Sequence, residues 1–281
     1  MDRARGAAIS TARKGEDLVY ASNYYTIFVV SYRTGRLVAK IPGVSDVDFL
    51  CSDARGNVFA TRFGNHDVLE YAHGGTKPIA DLDDSGAWPW SCAVDPLTGN
   101  LAVINLYDNG DEGAVRIFPG AQGSSHTLRD PAIQSPVYGT YDDRGNLYVD
   151  GVGLDKAQFA EVPAGTDSFV AIALSQRTYG SDVLQWDGKY VVDSDPIAKV
   201  IYQFSISGAS GTVAGTVKLS DWYHRAFREF WLYGDTIVTQ PGRHRELGYW
   251  SYPQGGSPRN VYSDFARKQE LTSVTVSVAP K

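Results

Sequence analysis

Apolar and polar residues alternate along most of this chain in short runs of about five to eight, the period of half-buried β-strands. "NVFATR", "NLAVIN", "NLYVDGV" and "KYVVDSD" are examples, and no helical pattern of 10–15 residues separates such runs. Five segments share a strand–turn–strand phrase: "FLCSDARGNVFATRF", "CAVDPLTGNLAVINL", "GTYDDRGNLYVDGV", "VLQWDGKYVVDSD" and "FWLYGDTIVTQ". Their turn glycines are Gly56, Gly99, Gly145, Gly188 and Gly234, spaced 43, 46, 43 and 46 residues apart, and Gly15 precedes the first by 41. Each turn is of the D-x-x-G-N type, in which glycine supplies positive φ between two apolar strands.

A second hairpin follows in every period, as in "DVLEYAHGGTKPIADL", "AVRIFPGAQGSSHTL" and "LGYWSYPQGGSPRNVY". Four strands per repeat of about 40–50 residues is the signature of a propeller blade. The expected fold is therefore all-β: a six-bladed β-propeller of four-stranded antiparallel blades. "ELTSVTVSVAP", residues 270–280, alternates like an innermost strand and stops where the turn glycine would come. It is expected to complete the first blade, closing the ring without an open sheet edge. "AAISTARKG", residues 7–15, competes for the same position. The expected organisation is a tail over residues 1–14 and one propeller domain over 15–281.

The repeats resemble those of six-bladed propellers of the NHL-repeat and gluconolactonase-like group, through "DRGNLYV" at Asp143–Val149 and "DARGNVF" at Asp53–Phe59. The "YAHGGTKPI" and "VDPLTGNLAV" phrases are closer still to uncharacterised secreted bacterial propeller proteins. The first resemblance implies a calcium-dependent lactonase or a ligand-binding platform. In the gluconolactonase-like enzymes a Glu, an Asn and an Asp hold calcium on the channel axis. No glutamate heads the first inner strand here, whereas Asn105 and Asp150 stand at comparable strand ends. With Asp193, they form the candidate metal set, and calcium is the one cofactor to consider.

Composition and charge narrow the function. Among 281 residues, 43% are hydrophobic, with 17 Tyr, 11 Phe and 6 Trp against a single Met, a mixture that favours strands. The formal charge of −6 disfavours non-specific binding to nucleic acid or anionic membranes. No apolar stretch approaches the roughly 20 residues of a membrane span. "MDRARGAAIST" lacks the apolar segment of a complete signal peptide, although a mature secreted chain would look the same. Cys51 and Cys92 fall on inner strands of neighbouring blades, two and three residues before Asp53 and Asp95. This opposite parity suits a bridge between blades, and two separate buried thiols fit equally well. The pair favours an oxidising compartment, secreted or periplasmic.

In a propeller the inter-blade connections and the loops between second and third strands share one face, and ligands meet the channel mouth there. The candidate ligand-binding residues on it are Trp88, Trp90, Tyr107, Tyr138, Tyr223, His224, Arg225 and His244. In "DDSGAWPWS" the two indoles flank Pro89, either as a stacking platform for sugars or aromatic ligands or as wedges between blades. His224 in "SDWYHRAFRE" could act as an acid or base oriented by Asp193 or Asp195, or be a surface histidine. "PGRHRELG" adds a small cationic cluster around His244. "NLYDNGDEGAV" resembles the start of a calcium loop but lacks its upstream acid, so a polar hairpin loop fits as well. There is no G-x-S-x-G elbow, H-E-x-x-H pair or phosphate-binding glycine loop. The expected function is binding of a small molecule, glycan or protein by a monomer, with a metal-assisted hydrolase or lactonase as the alternative.

Overall fold

The computed structural model describes residues 15–131, 133–152, 157–176, 178, 183–195, 197–220, 229–240, 246–263 and 270–280. The stretch expected as a tail, residues 1–14, lies outside them. One 3-10 turn, Pro119–Ala121, is the only helical element among the described residues, and the rest of the regular structure is strand.

Most strands lie beside their sequence neighbours. β1 (Leu18–Ser22), β2 (Tyr24–Ser31), β3 (Leu37–Ser52), β4 (Val58–Arg62), β5 (Asp67–Tyr71) and β6 (Pro78–Asp83) form one sheet in chain order. The second sheet holds β7 (Ala87–Val94), β8 (Leu101–Asp108), β9 (Asp111–Phe118) and β10 (His126–Leu128). The third holds β11 (Ser135–Tyr141), β12 (Leu147–Val152), β13 (Ala157–Val162) and β14 (Val170–Ala171). β15 (Ala173–Leu174) runs parallel to the outer edge of a fourth sheet, whose main strands are β16 (Leu184–Trp186), β17 (Val191–Asp195), β18 (Val200–Ser207) and β19 (Ser210–Val217). The fifth contains β20 (Trp231–Tyr233), β21 (Thr236–Thr239), β22 (Leu247–Ser251) and β23 (Gly255–Tyr262). β24 (Ser273–Ser277) pairs antiparallel with β1, Leu18 opposite Ser277 and Ser22 opposite Ser273, making the first sheet seven-stranded.

β3 explains that seven-stranded sheet. Its first part, Leu37–Pro42, pairs with β2, and Val47–Ser52 pairs with β4. Between them Gly43 and Asp46 take φ of 76° and 56°, so the chain bends and redirects without breaking the strand.

The turns follow from their aspartates. Asp53 Oδ1 accepts the Arg55 and Asn57 N–H groups at 2.9 and 2.7 Å, and Asn57 Nδ2 donates to Oδ2 at 2.9 Å. Asp142 repeats the arrangement with Arg144 and Asn146. At Gly56 (φ 86°) a Cβ would lie 2.2 Å from the Val278 carbonyl, so glycine serves both the turn and the passage of the carboxy-terminal strand.

Six strands contact one another in succession. β24 contacts β3, β3 contacts β7, β7 contacts β11, β11 contacts β16, β16 contacts β20, and β20 contacts β24. Apolar clusters fill the spaces between sheet faces: Val19, Phe28, Val274 and Tyr249 pack in one, Ile104, Val149 and Leu147 in another. The architecture is that of a β-propeller. Cys51 on β3 and Cys92 on β7 form a disulfide with a Cα–Cα distance of 5.8 Å, joining two neighbouring inner strands.

Candidate functional site

The alternation of strand direction sorts the connections into two ends. The β1–β2, β4–β5, β8–β9, β12–β13 and β17–β18 loops share one end with the β6–β7 and β10–β11 connections. The D-x-x-G-N turns lie at the other. Among the described residues, six large apolar side chains are exposed at the loop end: Tyr24, Tyr25, Trp88, Tyr107, Val152 and Ile197. They come from the first four sheets. The remaining exposed large apolar residues are Leu97, beside a turn, and four on outer strands.

Local geometry presents these residues deliberately. Asn23 Oδ1 accepts the Tyr25 and Thr26 N–H groups at 3.2 and 2.8 Å, an Asx turn that holds Tyr24 at φ 70° and leaves Tyr25 65% exposed. Asn109 and Gly110 take φ of 54° and 82°, the two-residue hairpin turn that Asn-Gly favours, and lift Tyr107 from the sheet end. Asp195 Oδ1 accepts the Ile197 and Ala198 N–H groups at 2.9 and 2.8 Å, turning Ile197 outward at 69% exposure. Trp88 lies against Phe63 and His66, with ring centroids 4.9 and 4.6 Å away. His66 is in turn fixed through Nδ1 at the Ala87 carbonyl.

Of the aromatic residues singled out from sequence, Trp88 and Tyr107 are exposed at this end. Trp90 is half-buried against the central apolar cluster, its indole N–H without a partner among the described residues, and meets Phe63 edge-on at 6.0 Å. The two indoles thus do different work, one open and one wedged. Tyr138 requires a correction: it is buried, with its ring 5.5 Å from Phe49, because β11 turns it toward the core rather than the mouth. Tyr223, His224, Arg225 and His244 lie outside the described residues, and with them the suggested pairing of His224 with Asp193 or Asp195.

Beneath the loop end sits a layer of buried polar groups. Arg116 bonds Asp84 Oδ1 at 3.1 Å and Asp108 Oδ1 at 2.7 Å, and Arg129 reaches Asp108 at 3.0 Å. Burial pushes the Asp84 carboxyl up to about 7 despite Arg116, which it shares with Asp108. Asp108 is thus paired with arginines, and Asn109–Gly110 of the "DNGDEG" loop forms a hairpin turn. Asn105 is buried; its Nδ2 donates to the Val103 carbonyl at 3.3 Å, its Oδ1 has no partner, and it helps lower Asp84.

Asp150 and Asp193 form a separate pair. Asp150 accepts the Tyr138 N–H at 2.8 Å. Asp193 is fully buried, and neither of its oxygens has a hydrogen bond of good geometry among the described residues. Burial raises its pKa well above the carboxylate range, and the Asp150 charge adds to this, against a nearby Thr178 hydroxyl that lowers it. No group of three or more His, Cys, Asp or Glu suited to a metal occurs among the described residues.

Sequence reasoning missed Glu229. This residue is buried just before β20 and accepts the Ser273 hydroxyl and the Val274 N–H, the latter at 2.9 Å. Burial pushes its carboxyl well above the usual range, and those two donors only partly offset the shift. The signal was available in "REFWLY", where one acid directly precedes Phe230 and Trp231, which pack in the central apolar cluster. At the opposite end, a cavity of about 220 Å³ opens among the inner strands and one of about 340 Å³ between the second and third sheets.

No protein-family model matches the chain, and no curated protein matches its sequence. Its shape, in contrast, is matched by 997 chains of solved structures, so the architecture by itself selects no activity. A chain from a crystal structure of a nidogen/laminin complex superposes with a TM-score of 0.70 at 13% identity, over 95% of this chain and 100% of that one. A protein of unknown function from Bacteroides caccae superposes with a TM-score of 0.67 at 10% identity, over 93% of this chain and 99% of its own. These likenesses establish a shared β-propeller fold.

Proposed function

We propose that this chain is a secreted or periplasmic binding protein whose partner is another protein, held on the loop end of a six-bladed propeller. The seven-stranded sheet reads as two blades sharing β3, which with the other four sheets gives six. Pairing of β24 with β1 is the proposed ring closure, and residues 15–281 are proposed as one domain. The Cys51–Cys92 disulfide favours an oxidising compartment.

The observation that carries the reading is the distribution of exposed apolar groups at the loop end. Tyr24, Tyr25, Trp88, Tyr107, Val152 and Ile197 come from four sheets and stand apart around the rim. A small ligand or a single glycan needs groups that converge on one pocket, whereas a protein surface can engage dispersed anchors together. The nidogen/laminin complex is a protein–protein assembly containing a chain of this shape, which agrees with such a role.

Photo-crosslinking tests it. A benzophenone side chain at Tyr107 or Ile197 should crosslink one discrete protein in material from the source cells. The same probe at Ile79, exposed on outer strand β6, should not. Equal yield at Ile79, or none at Tyr107 and Ile197, refutes the proposed face.

The hydrolase reading rests on one observation, the unpartnered Asp193 carboxylate beside Asp150. A cation there would also need Asn105, whose neighbours Asp84 and Arg116 already form an ion pair. If calcium binds, it should raise the melting temperature of the native chain and leave Asp193→Asn unmoved. No shift in either removes the hydrolase reading.

A further inference from the structure

The turn end of the channel carries a second candidate site. The 220 Å³ cavity there is bounded by segments of β3, β7, β11, β16 and β20, so it lies where the inner strands converge. Its wall includes Tyr141, Trp186 and Trp231, with Cys92 of the disulfide at its side and Gln185 at its edge. Asp143 is the single charged residue among the described residues of the lining. The cavity is smaller than the roughly 300–1,000 Å³ of pockets for drug-sized ligands, so its occupant is a small molecule or one head group.

Charge and surface then select the chemistry. An anion would meet no cation among the described residues of the lining and would be repelled by Asp143. A purely apolar ligand would leave Asp143 and Gln185 without a role. A cation with a methylated, weakly hydrated shell suits both features, because aromatic faces attract positive charge through their quadrupole and Asp143 supplies the counter-charge. We propose that this channel mouth binds a small organic cation of the quaternary-ammonium class, held among Trp186, Trp231 and Tyr141 with Asp143 as its counter-ion. The site is independent of the protein-binding loop end and lies on the opposite side of the molecule.

Choline chloride is the probe, followed by isothermal titration calorimetry and intrinsic tryptophan fluorescence. Its neutral isostere 3,3-dimethylbutan-1-ol and sodium chloride at matched ionic strength are the controls. Choline should give a saturable heat and a change in tryptophan emission, and the isostere should bind at least about tenfold more weakly. Asp143→Asn, at an exposed position, should weaken choline about three- to tenfold while the melting temperature stays unchanged. Trp231→Leu should abolish binding. If that variant does not fold, the isostere and Asp143→Asn comparisons still decide. Absence of saturable binding below tens of millimolar, equal binding of the isostere, or unchanged affinity in Asp143→Asn overturns the proposal.

Discussion

Glu229 and Asp193, buried carboxyls with no charge partner among the described residues, govern how this protein should respond to pH. Both have pKa values raised by burial, so the native state holds protons that the unfolded chain releases above the ordinary carboxylate range. Their stabilising contribution is full below that range and is lost as pH rises toward the folded values. Asp48, pushed up to about 6, adds to the same slope between pH 4 and 6. The native protein should therefore melt at a higher temperature at pH 5 than these groups allow at pH 8. Glu229→Gln keeps an acceptor for Ser273 and Val274 but has no proton to lose, so thermal melts from pH 5 to 8 should show a flatter slope. At pH 8 the variant should equal or exceed the native chain in melting temperature. A steeper slope in the variant would contradict the assignment. The alternation pattern does not carry this, and only the aromatic residues following Glu229 hint at it, since burial of a single acid depends on which neighbouring strand covers it.

At the scale of elements, the disulfide and the bent strand do related work. The Cys51–Cys92 bridge joins β3 to β7 across a sequence separation of 41 residues. A loop of that length constrains the unfolded chain by about 4 kcal/mol in the entropic account. Cys51→Ser/Cys92→Ser should lose stability of that order in urea melts, and reductant should lower the native midpoint by the same amount while leaving the double variant unchanged. The turn elements were the most legible part of the sequence. Gly56, Gly99, Gly145, Gly188 and Gly234 all take positive φ, between 57° and 91°, as the D-x-x-G-N spacing implied. Less legible was β3, because "LVAKIPGVSDVDFLCS" contains Pro42 and Gly43, which as local signals read as a break. The strand continues through them because β2 and β4 each supply a partner for one half. The candidate site was legible to the same degree: loop ends could be sorted by repeat position, but the direction of a side chain could not. Tyr138 faces the core and Tyr107 the solvent for that reason.

For the whole molecule, the weight falls on β24. Val274 and Val276 are buried in the cluster that β1, β2 and β22 share, and Ser273 anchors Glu229. His73 ties the end of the same strand through Ser277 Oγ at 2.7 Å while its other nitrogen meets the Glu16 carbonyl at 3.1 Å. Val274→Asp should lower the melting temperature by roughly 10 °C or more, since it would bury an unpaired charge and weaken the only strand on that edge of β1. Differential scanning calorimetry should show the loss as one transition if the sheets unfold together. A small low-temperature transition ahead of an unchanged main one would mean that β24 is an accessory rather than a closing strand.

The register of that strand has a mechanical consequence. Leu18 faces Ser277, so the chain enters β1 and leaves β24 at the same end of the pair, beside the Gly56 turn. A tension applied between these two points would not slide the strands past one another against all their hydrogen bonds at once. It would peel them apart rung by rung from Leu18 toward Ser22, a geometry that yields at low force. A tether on either side would instead hang the molecule by its turn end, with Tyr25, Tyr107 and Ile197 directed away from the anchor.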